Sequence, residues 1–201
     1  MKLIPILVFL YLLAGCNPGP MALDDIVSED TIYPRAVKQY PDTLIYNEQY
    51  KAIGRIKFGI SQEEYQIEKD LFLNDTKKET NINGSTVAKN YIGNFEFVKM
   101  TDYYDSGKLY RLEIQGAPIS WDNYETEIHN RISVIQELIA QKFGNPDSDN
   151  RIPKMDDLKQ GSTYLIRTWN IGDKRIEIQV LDGQTIYIPY IAICQVSQGC
   201  L

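Results

Sequence analysis

The chain has 201 residues with 27 acidic and 21 basic side chains, which gives a formal net charge of −6. An acidic chain without a block of Lys and Arg lacks the electrostatic footprint of a nucleic-acid-binding protein, so we expect no nucleic acid partner. The length suits one ordinary globular domain with a hydrophobic core.

The first residues of the chain have the pattern of a bacterial lipoprotein precursor. Lys2 precedes an apolar run over residues 3–13. This run fits the roughly 7–15 residues of a signal-peptide core and falls short of the about 20 that cross a bilayer. The tetrapeptide Leu-Ala-Gly-Cys at residues 13–16 resembles the bacterial lipobox, which implies cleavage before Cys16 and attachment of acyl chains such as palmitate to this residue. A plain secretory signal cut elsewhere, or a short anchor that stays, is the alternative.

Acylation of Cys16 would fix the mature protein to a lipid bilayer, because two or three chains at about 0.8 kcal/mol per buried methylene hold firmly. In the enterobacterial sorting rule, an aspartate after the lipidated cysteine keeps a lipoprotein at the inner membrane. Asn17 occupies that position here. We therefore expect a place in the cell envelope and favour the outer membrane.

Three parts follow from this pattern. Residues 1–15 are the predicted signal peptide. Residues 16–42, rich in Asp and Pro, are the predicted flexible tether, and residues 43–201 form a single predicted domain.

The first half of the domain predicts one strand, one helix and then three strands. Ser61 and Glu64 have the spacing of a capping box, so we expect a helix to begin there and to run over residues 62–73. An opening strand over residues 52–60 precedes this helix. Turn signals separate the three later strands, which are predicted over residues 86–92, 95–104 and 109–115.

The clearest helix of the sequence covers residues 124–143. Apolar residues recur there at the helical period and form one stripe, which predicts burial of that face. They are Ile128, Ile132, Ile135, Ile139 and Phe143. Gly144 suits the position after a helix end, and Pro146 prevents continuation.

The last third predicts a second group of three strands, over residues 164–170, 175–181 and 185–196. The element order is therefore strand, helix, three strands, helix, three strands. Runs of hairpins with few helices favour an α+β fold, in which an antiparallel sheet of about six to seven strands carries two helices on one face.

Several motifs at helix starts, helix ends and turns resemble those of known proteins. They are FGISQEE at residues 58–64, GKLY at 107–110, KFGNP at 142–146 and WNIGD at 169–173. Together they resemble a group of small bacterial lipoproteins of unassigned function. The helix start is similar to that of the SmpA/OmlA type of outer-membrane assembly lipoprotein and of the β-lactamase inhibitor protein fold, although Ile60 replaces the usual methionine. The resemblance implies this type of α+β unit, and it carries over no binding residue.

No catalytic, metal or cofactor site is predicted. His129 is the only histidine of the chain, and Ser-His-Asp or Cys-His catalysis needs a histidine beside its nucleophile. Glu125 lies one turn before His129, but two ligands are too few for a metal centre. The carboxylate pairs at residues 63–64 and 156–157 are explained by a helix N-terminus and a loop.

The three cysteines fit an exported protein. With Cys16 assigned to the lipid, Cys194 and Cys200 remain as an even pair in an oxidising compartment. They either form a short disulfide near the C-terminus or stay as two thiols with Cys194 buried in a strand. The spacing leaves both alternatives open.

The sequence is rich in aromatic residues, with 14 tyrosines and 2 tryptophans. Tyr and Trp combine apolar area with a polar group and are favoured in interfaces, although strands also favour aromatic residues for packing alone. We take those on predicted strands as the candidate partner surface. They are Tyr103, Tyr104, Tyr164, Trp169, Tyr187 and Tyr190.

The sequence therefore predicts a membrane-anchored, non-enzymatic protein-interaction module. Its expected partner is another envelope protein, bound as an assembly partner or as the target of an inhibitor or immunity protein. The alternative is a small-ligand-binding lipoprotein or a hydrolase with a pocket between the helices and the sheet. An aromatic patch would favour the first, and a deep apolar cavity with convergent Asp, Glu or His would favour the second.

The variant Cys16→Ser tests the lipid anchor. Without the thiol no acyl chain attaches, so we expect the protein to move from the membrane fraction to the soluble periplasmic fraction of broken cells. Asn17→Ser is the matched control and keeps the protein at the membrane. Membrane retention of the Cys16→Ser protein would contradict lipidation.

Overall fold

The computed structural model describes residues 40–83 and 85–200. The predicted signal peptide, the predicted lipidation site Cys16 and most of the predicted tether lie outside these residues. Three α-helices and eleven strands make up the described part. They are α1 (Asp42–Glu48), β1 (Lys51–Ile53), β2 (Ile56–Lys57), α2 (Gln62–Thr76), β3 (Lys77–Ile82), β4 (Ser85–Ile92), β5 (Phe95–Asp105), β6 (Lys108–Gly116), β7 (Ile119–Ser120), α3 (Tyr124–Phe143), β8 (Ser148–Asp149), β9 (Thr163–Ile171), β10 (Lys174–Asp182) and β11 (Ile186–Gln195).

One sheet of nine strands dominates the structure. Its order is β3-β4-β5-β6-β11-β10-β9-β8, with β7 also paired to β11, and all of these pairings are antiparallel. β6 and β11 join the two groups of strands, with Ile114 opposite Ile191 and Leu112 opposite Ile193. The predicted α+β fold with an antiparallel sheet is thus confirmed.

The numbers of strands and helices differ from those predicted. The strand expected over residues 52–60 is a short hairpin, β1–β2, which turns at Gly54 with a φ of +54°. Helix α1 and strands β3, β7 and β8 had no counterpart in the prediction. β3 has the sequence KKETNI, which lacks apolar alternation, so only its pairing with β4 makes it a strand.

The two predicted helices form where their local signals place them. Ser61 accepts a hydrogen bond from the backbone N–H of Glu64, and the Glu64 carboxylate accepts one from the backbone N–H of Ser61 at 2.8 Å. This capping box begins α2. Helix α3 has its predicted bounds, and its apolar stripe is buried.

Both long helices contribute to one core on one side of the sheet, which we call the helix face. Leu112 and Ile114 of β6, and Ile191 and Ile193 of β11, belong to that core together with the stripe of α3. Tyr190, Ala192 and Cys194 alternate with these residues on β11 and are not part of it. They face the opposite side, which we call the open face, because no α-helix of the described residues packs there.

Side-chain contacts fix both ends of α3. The hydroxyl of Tyr124 donates to the carbonyl of Pro153 at 2.8 Å, and the indole N–H of Trp169 donates to the carbonyl of Gly144 at 2.8 Å. A disulfide joins Cys194 to Cys200, so the structure contains the first of the two alternatives for this pair. It secures the C-terminal turn beside the sheet.

The core position Ile132 tests the packing of α3. Ile132 is 1% exposed, whereas Ile67 on α2 is 63% exposed. Truncation of a buried isoleucine leaves a cavity, so we expect Ile132→Ala to lower the free energy of unfolding by about 2–5 kcal/mol. The control Ile67→Ala should stay within about 0.5 kcal/mol of wild type. Equal losses in urea denaturation would contradict this placement of α3.

Candidate functional site

The six aromatic residues predicted as a partner surface do not lie together. Trp169 and Tyr187 are buried in the core on the helix face. Tyr104 packs edge-on against Tyr65 of α2, with the ring centroids 6.3 Å apart. These three rings hold the helices on the sheet. Successive side chains of a strand point to opposite faces of the sheet, so every second one points to the helix face. The bulkiest apolar side chains are buried on that face.

The other three aromatic residues occupy different places. The hydroxyl of Tyr164 accepts a hydrogen bond from the backbone N–H of Lys159 at 2.6 Å and supports the loop before β9. Tyr103 and Tyr190 lie on the open face. Of the predicted surface, therefore, two members share this side of the sheet, and Tyr103 is 36% exposed whereas Tyr190 is only 7% exposed.

Four polar residues that the sequence had not singled out complete the open face. Arg111 and Glu113 project from β6, and Glu177 and Gln179 project from β10. Ala192 of β11 lies between them, opposite Glu113 on one side and opposite Glu177 on the other. A short side chain flanked by long ones on both neighbouring strands leaves a hollow.

The hollow is an open concavity of about 430 Å³. Its lining comprises Arg111, Glu113, Thr163, Leu165, Glu177, Gln179 and Tyr190. We call it the polar concavity. One cation and two carboxylates line it, so its ionised lining carries one net negative charge.

Hydrogen bonds hold the first half of the polar concavity in place. The guanidinium of Arg111 donates to Glu113 Oε1 from Nη2 at 2.8 Å and from Nε at 3.1 Å. The hydroxyl of Tyr103 donates to Glu113 Oε2 at 3.0 Å. Burial and this bond raise the pKa of Tyr103, so its hydroxyl remains a donor.

The second half is fixed in the same way. The amide of Gln179 donates to Glu177, and the hydroxyl of Tyr190 donates to Gln179. Burial raises the pKa of Tyr190. Because these side chains already hold one geometry, a partner that contacts them has little rotamer freedom left to remove.

Exposed apolar groups lie next to this network. Leu165 on β9 is 40% exposed and Tyr103 on β5 is 36% exposed. They flank the polar concavity on opposite sides, since β5 and β9 are separated by β6, β11 and β10. The open face thus combines fixed polar groups at its centre with apolar groups at both sides.

A second cavity lies on the helix face. It has a volume of about 210 Å³ and is bounded by the C-terminal half of α3, the segment from α1 to β1, and strands β10 and β11. Most of its wall is aliphatic. Its charged residues are Glu48, Lys51, Lys142 and Lys174.

Lys174 is the unusual member of this cavity. It is 3% exposed, and its ammonium group lies 5.4 Å from the ring centroid of Phe143. Burial lowers the pKa of Lys174 to about 8, against the opposing charge of Glu48. Removing an ammonium group from water costs free energy, and this cost is the cause of the lowered pKa.

Glu48 is the only buried carboxylate of the cavity wall. One oxygen lies 2.7 Å from Lys142 Nζ and the other 3.3 Å from Lys51 Nζ. Burial opposes ionisation of Glu48, but the hydrogen bond and charge of Lys142 outweigh it and hold the pKa below its usual range. Glu48 therefore stays ionised and forms ion pairs with both Lys142 and Lys51.

The alternation of polar and apolar residues along β10 indicates the positions of some site residues that the sequence analysis did not identify. Glu177 and Gln179 alternate with Ile176 and Ile178, which places them on the opposite face from the core. Lys174 has the same parity as Ile176, so the pattern sends it into the core. What the pattern lacks is the pairing of β11 between β6 and β10, which brings the polar residues together.

His129 and Glu125, the residues considered for metal binding, lie one turn apart on α3. Within residues 40–83 and 85–200, no group of three or more His, Cys, Asp or Glu could hold a metal ion. His129 is exposed on α3, and Glu125 accepts a hydrogen bond from the backbone N–H of Met155 at 2.9 Å. None of the helices in the same residues is long and apolar enough to span a membrane.

Lys174→Met tests the burial of this ammonium group through pH. The pKa of Lys174 is about 8 in the folded protein and 10.5 ordinarily. Between these values the unfolded chain binds more protons, so the free energy of unfolding of the wild type rises with pH, by up to roughly 3 kcal/mol. Lys174→Met lacks this rise. The tyrosines titrate in both proteins, so their contribution cancels when the two free energies of unfolding are subtracted.

Urea denaturation at several pH values between about 7 and 10.5 measures this difference. The variant should be the more stable protein at neutral pH, and its advantage should shrink as the pH rises. Lys159→Met, which removes an exposed lysine, should keep the pH dependence of the wild type. Parallel curves for Lys174→Met and wild type would contradict the burial of Lys174.

Comparisons with protein-family models, with curated proteins and with solved structures found no match to this chain. The resemblance of its motifs to those of bacterial lipoproteins stays a prediction. The open face and the cavity beside Lys174 are the observations from which a function can be proposed.

Proposed function

We propose that this protein is a lipid-anchored lipoprotein of the bacterial envelope, placed at the outer membrane, which binds another envelope protein through its open face. The polar concavity is the observation that carries this proposal. It joins fixed hydrogen-bonding groups from β5, β6, β10 and β11 on a sheet face that the described helices leave uncovered. The lipobox and the resemblance to small bacterial lipoproteins support the lipid anchor in this proposal.

The composition of the open face supports a protein partner. Tyr and Arg are enriched among the residues that contribute most to binding energy in protein interfaces. Tyr103 and Arg111 provide these groups on neighbouring strands, and Tyr190, which is 7% exposed, lies beside them on β11. Leu165 and Tyr103 add exposed apolar area on the two sides. A surface with this distribution suits a folded partner that covers several strands.

Charge indicates what the partner presents. The lining of the polar concavity carries Arg111, Glu113 and Glu177, and Glu113 is already neutralised by Arg111 at 2.8 Å. Glu177 lies farther from a cation, with Arg175 Nη1 at 3.9 Å. A Lys or Arg side chain on a partner loop would complement Glu177. An acidic loop would meet repulsion there.

Site-specific photocrosslinking in intact cells tests the proposal. A photoreactive amino acid at Leu165 lies at the edge of the polar concavity, and one at Ile67 lies on α2, on the other side of the sheet. Position 165 is 40% exposed and position 67 is 63% exposed, so the control position is the more accessible of the two. We expect a crosslinked protein adduct from position 165 and none from position 67.

A second substitution separates binding from mere proximity. Glu177→Lys inserts a like charge opposite the expected cation of the partner, so the adduct from position 165 should fall by about tenfold, the effect of about 1.4 kcal/mol. Glu137→Lys, on α3, should leave the adduct unchanged. Equal adducts from positions 165 and 67, or no protein adduct from position 165, would contradict a partner on the open face.

A further inference from the structure

The cavity on the helix face has the shape and lining of a ligand site. Ile53 and Ile92 contribute to its wall from one side, Leu138 and Ile139 from α3, and Ile176 and Ile193 from the sheet. An engineered apolar cavity of about 150 Å³ stays dry and binds benzene. At about 210 Å³, this cavity has room for a ring or a short aliphatic chain.

A buried cation lies in this apolar wall. Lys174 occupies the helix face of β10, two residues before Ile176, and lines the cavity with only 3% of its surface exposed. A lysine that serves only packing extends its ammonium group to water. The Lys174 ammonium instead lies over the ring of Phe143. Its burial costs free energy unless an anion compensates it.

No carboxylate of the described residues forms an ion pair with Lys174. The charge of Glu48 acts on Lys174, but the two Glu48 oxygens are paired with Lys142 at 2.7 Å and Lys51 at 3.3 Å. Three ammonium groups therefore share one carboxylate around the cavity. When all four groups are ionised, the site has two positive charges in excess.

We infer that this cavity binds a small monocarboxylate with an aliphatic or aromatic body, whose carboxylate pairs with Lys174. The aliphatic wall accounts for the body and the excess positive charge accounts for the headgroup. A neutral apolar molecule would leave Lys174 with only the charge of Glu48, which Lys51 and Lys142 share, and a cation would add to the repulsion. This site is separate from the open face, so it stands independently of the proposed protein partner.

Isothermal titration calorimetry on the Cys16→Ser protein tests this site without detergent. Octanoate is the probe, octanol is the matched compound without charge, and acetate is the matched anion without a chain. We expect octanoate to bind at least about tenfold more tightly than either, since the ion pair and the apolar contacts both contribute.

Two variants separate the contributions of charge and space. Lys174→Met should weaken octanoate by about tenfold and leave octanol unchanged, whereas Lys159→Met should change neither. Leu138→Trp fills the cavity and should abolish binding of both compounds. Lys174→Met with wild-type affinity for octanoate, or Leu138→Trp with wild-type affinity for either compound, would overturn the inference.

The wild-type protein gives a test that depends on no variant. The affinity for octanoate should fall by about tenfold between pH 7 and about pH 10, as Lys174 loses its proton, while that for octanol stays constant. Glu48 of α1, Lys51 of β1 and Lys142 of α3 face the same space, and Glu48 stays ionised throughout. Equal affinities for octanoate and octanol at pH 7, or no heat with octanoate, would overturn the inference.

Discussion

The burial of the α3 stripe against one side of the sheet is the interaction on which the rest of the structure depends. Ile128, Ile132, Ile135 and Ile139 can be removed from water only by a continuous apolar surface. Strands β5, β7, β10 and β11 pack against α3 and supply that surface, the longer ones with every second residue. The same alternation sends the remaining residues to the other side. One-sided packing therefore creates both the core and the open face.

Each candidate site results from this arrangement in a different way. The polar concavity is formed by residues out of phase with the core, with Ala192 between Glu113 and Glu177. The cavity beside Lys174 lies on the core side, where α1 and β1 meet the C-terminal half of α3. One site combines fixed, largely buried polar groups with exposed apolar groups on both sides, and the other combines an apolar wall with a buried charge.

The sequence predicts an element correctly where the signal for that element lies within its own residues. The 3.6-residue period of α3 and the Ser61–Glu64 capping box gave the helices, and the turns at Gly107 and Gly172, both with positive φ, gave the hairpins. β3 could not be predicted, because its polar sequence becomes a strand only beside β4. Pairing between distant segments has no local signature.

The difference between local signals and long-range pairing also explains how much of the candidate site could be predicted. Alternation alone identifies which residues of β10 leave the core, but the placement of β6 and β10 on the two sides of β11 depends on long-range pairing. The predicted aromatic surface was scattered for a related reason. The prediction groups aromatic residues of strands without regard to the face of the sheet that each side chain occupies. Trp169 and Tyr187 occupy the core side. A bulge between Tyr103 and Tyr104 shifts the register further.

Hydroxyl-radical footprinting of the protein in isolated envelopes and after purification tests the central claim, that the side of the sheet left free by the helices is occupied by a partner. Leu165 and Tyr103 should oxidise more slowly in envelopes than in the purified protein. Trp121, which is exposed beside α3, should oxidise equally in both. Equal oxidation of Leu165 and Tyr103 in the two samples would contradict the account.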